Sequence, residues 1–282
     1  MLTSGEARHL EKMAWVIRRN IIEMISGGKV GHLGGSCSVA EILSVLYFHR
    51  MKGLDGNNPK NPERDRIIFS KGHAVLAQYA ALVELGYFPR EEMKKLKTLG
   101  GLLQGHPDMK TPGIEAVTGS LGQGLSVASG MALGLRLDGS KSKVFAVLGD
   151  GELAEGQIWE AVMSSADYKL GNLCAFVDKN SVQATGATKD IFPIEDIPGR
   201  FRSFGWNVIE IDGHDVCQVE DAIEKADETK DRPTVIIALT VKGKGFPFAE
   251  GKAAYHNAGI SEDEYKEALA IVGGKLKEYE DA

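Results

Sequence analysis

Leu10, Met13, Ala14, Ile17, Ile21, Met24 and Ile25 recur at the spacing of one helix face, which predicts a helix over residues 4–26 closed by Gly27-Gly28. A glycine-rich stretch, Gly27 to Gly35, leads through Ser38, a candidate N-cap, into a second helix reaching residues 47–49. Residues 55–66 are polar and rich in proline and asparagine, as a loop is. Ile67-Ile68-Phe69 predicts a short strand ending at Ser70-Lys71-Gly72-His73, with a helix beyond it to about Leu85. Val144-Phe145-Ala146-Val147-Leu148 and Leu173-Cys174-Ala175-Phe176-Val177 are unbroken apolar runs, the mark of strands buried on both faces. Gly149-Asp150-Gly151 stops the first and Asp178-Lys179-Asn180 the second. Helices are expected at 124–137, 156–168 and 215–229, further strands at 206–211 and 234–240, and a charged final helix at 262–279. Strands alternating with helices predict an α/β fold, a parallel sheet flanked by helices on both faces, forming one domain over residues 1–282.

Composition narrows the function classes. A formal charge of −6 argues against a nucleic-acid or anionic-membrane binder. The three cysteines, Cys37, Cys174 and Cys217, form no CxxC pair, so neither a disulfide framework nor a structural zinc site is expected. That cysteine usage fits a reducing, cytoplasmic setting; no apolar run suits a membrane span, and the charged N-terminus lacks a signal-peptide core. Glycine stands out, with 34 residues against 9 prolines, spread in short clusters that read as tight backbone turns.

In parallel α/β sheets, ligands sit beyond the carboxyl ends of the strands. Asp150 and Asn180 follow the two buried strands, and a carboxylate with an amide oxygen suits a hard cation such as Mg²⁺ or Ca²⁺. Gly149 and Gly151 let a phosphate approach the backbone, and the start of the following helix favours an anion. Together they describe a metal-held diphosphate, although Gly-Asp-Gly alone is also a common turn.

Gly149-Asp150-Gly151 with downstream Asn180 resembles the thiamine diphosphate signature. The flanking segments resemble the transketolase family from about residue 10 to 260: Gly31-His32-Leu33-Gly34, Ser70-Lys71-Gly72-His73, Gly105-His106-Pro107, Thr118 to Gly124, Glu155-Gly156, Val208 to Asp215, and His256. The resemblance implies that Asp150 and Asn180 ligate the metal through side chains and Val182 through its carbonyl. It implies that Gly119, Leu121, Gly149, Gly151 and Asn180 contact the cofactor. His73 and His256 would lie near the diphosphate and the reacting carbon, and His32, His106 and His256 near the donor sugar's hydroxyls. Glu155 takes the place of a buried acid that links cofactor sites across the dimer. Histidine suits these tasks because its ordinary pKa lies near neutrality. His9, His49 and His214 read as structural, and Cys37 as a packed small residue.

Leu33, Gly34-Gly35-Ser36-Cys37, Ser120, Ala184 and Thr185 depart from the family pattern and bear on the substrate rather than the cofactor. The chain resembles only the first, pyrophosphate-binding domain. The pyrimidine-binding and C-terminal domains are expected on a separate chain, a C-terminal transketolase subunit, in a heterotetramer with two copies of each. The resemblance thus implies the N-terminal subunit of a split transketolase, inactive alone, that transfers a two-carbon ketol unit between sugar phosphates of the pentose phosphate pathway. The alternatives are the first half of a deoxyxylulose-phosphate synthase or of a 2-oxo-acid dehydrogenase component, or a non-catalytic protein keeping the fold.

Overall fold

Thr3 accepts from the Glu6 amide while the Glu6 carboxylate accepts from the Thr3 amide, and this reciprocal cap starts α1 (Ser4–Met24). Its stripe of Leu10, Ala14, Ile17, Ile21 and Met24 is buried. The computed structural model describes residues 1–280, so the last two residues of the expected 1–282 domain lie outside the described residues.

The glycine-rich stretch is more helical than its composition predicts. α2 (Leu33–Cys37) begins within it, and α3 (Ala40–Val45) follows, ending in one π-helical turn at Leu46–Arg50. Ser38 is not an N-cap. Its hydroxyl donates to the buried Asp178 carboxylate at 2.7 Å, because a buried charge takes any well-placed donor.

The strands are β1 (Arg66–Phe69), β2 (Val144–Gly149), β3 (Leu173–Lys179), a two-residue antiparallel hairpin of β4 (Val182–Gln183) and β5 (Gly186–Ala187), β6 (Asn207–Asp212) and β7 (Thr234–Leu239). Five form one parallel sheet in the order β1-β2-β3-β7-β6. β3 runs through Asp178 and Lys179 rather than stopping at Val177, because the Asp178 charge is matched inside the fold. The remaining helices are α4 (Val75–Glu84), α5 (Gln123–Leu137), α6 (Gly156–Asp167), α7 (Thr188–Ile191), α8 (Ile197–Ser203), α9 (Val216–Glu228) and α10 (Glu262–Glu278).

Register sorts the core into two layers, because alternate strand residues face opposite sides. The aligned row Phe69, Val147, Phe176 and Ile236 packs with α1, α3, α4 and α9. The neighbouring row Ile68, Ala146, Ala175 and Val235 packs with α5, α6 and α8. β2 and β3 are covered on both faces, as their unbroken apolar runs require. The chain crosses the sheet in one direction from β1 through β3 to β6 at the edge, then turns back to place β7 between β3 and β6. Such a reversal opens a crevice at the carboxyl edge. No helix among the described residues is long and apolar enough to cross a membrane.

Candidate functional site

The loops leaving β1, β2, β3 and β7 converge at that edge around a cavity of about 340 Å³. It is lined by His32, His73, His106, His256, Gly119, Leu121, Gly149, Asp150, Gly151, Asn180 and Val182. All of these were singled out from sequence, whereas Glu152, Gln183 and Lys242, which line the cavity too, were not. Glu155 is not among the lining residues; it is exposed on the surface beside Gly122.

One end of the cavity is built on strand ends and carries charge. Asp150 Oδ1 accepts from the Gly151 amide at 2.9 Å and Oδ2 from the Ser181 amide at 2.6 Å. Asn180 Oδ1 accepts from the Val182 amide at 3.1 Å, while its Nδ2 donates to Asp178 at 2.8 Å. The Val182 carbonyl accepts from the Lys242 ammonium at 2.9 Å. Burial first, and then the neighbouring Asp178 charge, push the Asp150 carboxyl up to about 6. An all-oxygen set of carboxylate, amide and carbonyl suits a hard cation, and the ammonium already at Val182 marks this place as one that takes positive charge. These residues therefore fit the expected metal. No group of three or more His, Cys, Asp or Glu residues that could hold a metal occurs among the described residues, as expected where two donors are an amide and a carbonyl.

Beneath lies an ion pair that sequence reading missed. Lys71 and Asp178 pair at 2.5 Å, with side chains 2% and 0% exposed. Asp178 also accepts from Ser38, Asn180 and Thr240, so the ends of β3 and β7 and the α2 turn meet on one carboxylate. Burial alone would raise its pKa; the Lys71 charge and these donors hold it below the ordinary value instead. Glu152 was missed too. It accepts from Ser70 Oγ, the Gly122 amide at 2.9 Å and the Gly149 amide at 3.1 Å, joining three loops of the site. Lys71 falls within the Ser70-to-His73 motif, but nothing local marks Asp178 or Glu152 in a single sequence.

The other end is a cluster of imidazoles. The His32 ring lies 5.1 Å from His73, 5.8 Å from His106 and 5.4 Å from His256, centroid to centroid, and His73 lies 4.9 Å from His256. Reciprocal bonds between the Gly31 and Ala258 backbones, at 3.0 and 3.1 Å, bring the first and last of these segments together. Tyr79 Oη donates to the His106 carbonyl at 3.2 Å. Gly119 passes so close that a Cβ there would stand 3.0 Å from the His106 ring, so a side chain would displace it. Burial is the leading cause of low basicity in all four, reinforced by nearby lysines and, for His32 and His73, by other imidazoles. His32 is pushed down to about 3, His73 to about 2 and His256 to about 4, and His106 is also lowered. At neutral pH the cluster is uncharged. It can donate to or accept from hydroxyls without attracting a counter-ion. His256 Nδ1 is buried without a hydrogen-bond partner, a donor or acceptor left open.

Residues 10–280 match the family model for the transketolase thiamine diphosphate binding domain. Among curated proteins, the chain is 46% identical over 262 residues to a 6-deoxy-6-sulfo-D-fructose transketolase subunit of Clostridium sp. (strain MSTE9), covering 93% of this chain and 95% of that one. It is 38% identical over 263 residues to an apulose-4-phosphate transketolase subunit of Phocaeicola vulgatus, covering 93% of each chain. The transketolase of Campylobacter jejuni superposes with a TM-score of 0.89 at 33% identity, over 97% of this chain and 43% of that one. The chain thus spans less than half the length of that solved transketolase and nearly all of the two subunits.

Proposed function

The chain belongs to the transketolase thiamine diphosphate binding domain family, and from that premise we propose that it serves as the N-terminal subunit of a two-chain transketolase. In this reading one domain holds the metal–diphosphate end of the cofactor, and a pyrimidine-binding domain on a partner chain completes the site. The coverage of about nine-tenths of two proteins themselves named as subunits supports it. When bound, thiamine diphosphate supplies an electron sink for breaking and remaking a carbon–carbon bond next to a carbonyl.

This chain's residues would divide the remaining work. Asp150, Asn180 and the Val182 carbonyl ligate Mg²⁺, with Ca²⁺ as the alternative ion. The Gly149 and Gly151 backbone, with Lys242, faces the diphosphate, and Gly119 and Leu121 line the cofactor. His32, His106 and His256 hold the hydroxyls of a ketose donor. His73 and His256, neutral at working pH, hold or move protons near the diphosphate and the reacting carbon. Glu155, exposed on this chain, acts in the assembled complex, in contact with a second copy. The cavity carries this reading: one end gathers oxygen ligands and cations, the other four neutral imidazoles, in a space of about 340 Å³.

The relatives' names add 6-deoxy-6-sulfo-D-fructose and apulose 4-phosphate to pentose phosphates as donors to test. The test combines the chain with a co-expressed pyrimidine-domain partner, thiamine diphosphate and Mg²⁺. Donors would be 6-deoxy-6-sulfofructose, apulose 4-phosphate, fructose 6-phosphate and xylulose 5-phosphate, each with an aldose phosphate acceptor. Two-carbon transfer by the pair and none by the chain alone is expected. Turnover without a partner would overturn the split-site reading, and pyruvate consumption would favour a synthase or dehydrogenase component instead.

A further inference from the structure

Behind the cavity, three residues that do not line it form a continuous chain of contacts. Arg18 donates to Glu41 through two nitrogens, at 2.6 and 2.8 Å. Glu41 Oε2 lies 2.9 Å from His214 Nδ1, and the Val241 amide donates to His214 Nε2 at 2.9 Å. A backbone N–H can only donate, so Nε2 is the acceptor and the ring proton sits on Nδ1, facing the Glu41 carboxylate. Burial alone would raise the Glu41 pKa; the Arg18 charge and the bonds from His214 and Arg18 hold it down to about 2. The carboxylate is thus a permanent acceptor that fixes the tautomer.

Val241 directly precedes Lys242, whose ammonium reaches the Val182 carbonyl in the cavity. The other side of Lys242 is held as well. The Gly243 amide donates to the Gly34 carbonyl at 2.9 Å, and Arg18 Nε donates to the Lys244 carbonyl at 2.9 Å. Arg18 therefore acts at both ends of this segment, directly at Lys244 and through Glu41 and His214 at Val241. Gly213 lets the His214 turn lie against β7. A Cβ there would stand 2.5 Å from Thr240 Cγ2 and 2.9 Å from Ala238 Cβ.

We propose that His214 is a positioning residue: with its tautomer set by Glu41 and Arg18, it anchors segment 241–244 and so aims Lys242 at the diphosphate end of the cavity. The proposal rests on the cofactor reading above, and its first measurement needs no cofactor. In the full chain, His214→Phe removes the acceptor for Val241 and the donor to Glu41, whereas His214→Gln keeps one of each. Backbone hydrogen exchange should rise about tenfold across 241–244 in His214→Phe, with the rest of the sheet unchanged, and His214→Gln should restore most of the protection. Unchanged protection at 241–244, or a rise spread over the whole sheet, overturns the proposal. The second measurement is the affinity for magnesium thiamine diphosphate in the reconstituted complex. His214→Phe should weaken it about tenfold, and should add nothing in a Lys242→Ala background. Additive losses would show that His214 acts by a route other than Lys242. If the unaltered complex binds no thiamine diphosphate, the cofactor reading fails, and the exchange result still decides the role of His214.

Discussion

The two ends of the cavity are built on opposite principles. At the strand end, charge is buried and matched: Lys71 against Asp178, backbone amides on Asp150, and Lys242 on a carbonyl. At the histidine end the rings themselves stay uncharged, because burial, nearby lysines and, for His32 and His73, other imidazoles hold them neutral. The strand end rides on elements whose register fixes their ends, whereas His32, His106 and His256 come from loops held by a few backbone bonds. A rigid charged end suits holding a diphosphate and its metal. A neutral end that can exchange protons suits a polyol substrate.

The largest test of this contrast is Asp150→Ala. If the strand end exists to hold a metal–diphosphate, removing its one liganding carboxylate should weaken Mg²⁺-dependent thiamine diphosphate binding by about 100-fold in the reconstituted complex, read by calorimetry. Unchanged affinity would place the metal elsewhere. Lys71→Met asks whether that end also holds the fold together. It leaves Asp178 buried without its partner and should cost about 3–5 kcal/mol in urea denaturation. A loss below about 1 kcal/mol would mean that the hydroxyl and amide donors on Asp178 suffice.

At the histidine end, His106→Ala should lower donor turnover by about 10- to 100-fold while leaving cofactor affinity within about twofold. Loss of cofactor binding instead would erase the division between the two ends.

Acid pH separates the ends without mutation. Unfolded imidazoles protonate near 6.5, whereas His32, His73 and His256 resist protonation down to about 3, 2 and 4. Below 6.5 these three imidazoles bind more protons in the unfolded chain than in the folded one, so the stability they contribute above 6.5 is lost as the pH falls toward 4, opposed by the smaller contribution of the Asp150 carboxyl, which is pushed up to about 6. The thermal midpoint should fall over that interval, and His73→Asn should flatten the fall. Equal slopes would show that this imidazole is protonated in the fold. The smallest effect is expected at Glu155. Because it is exposed, Glu155→Gln should leave the chain's own stability within about 0.5 kcal/mol and act only on the assembled complex.

The parallel sheet was legible because β2 and β3 are buried on both faces, and burial on both faces writes an unbroken apolar run. The place of Asp150 and Asn180 in the cavity was legible because both follow the two buried strands, and in such sheets the crevice lies beyond the strand ends. The short helix α2 was not, since its Gly34 and Gly35 have low helix propensity and the surrounding packing imposes the conformation. Ser38 likewise had the local look of a cap and was claimed instead by a carboxylate from another strand.

By itself, then, the sequence determined the α/β class, the resemblance carried by its motifs and most residues lining the cavity, because those signals lie within a few residues of one another. Only the tertiary structure decided that Lys71 answers Asp178, that Glu152 joins three loops, that four histidines crowd into one neutral cluster and that His214 grips the backbone beside Lys242. The physical reason is the same in each case. A buried polar group must find its partner, and the partner is whichever side chain the packed sheet brings within about 3 Å, however distant in the chain.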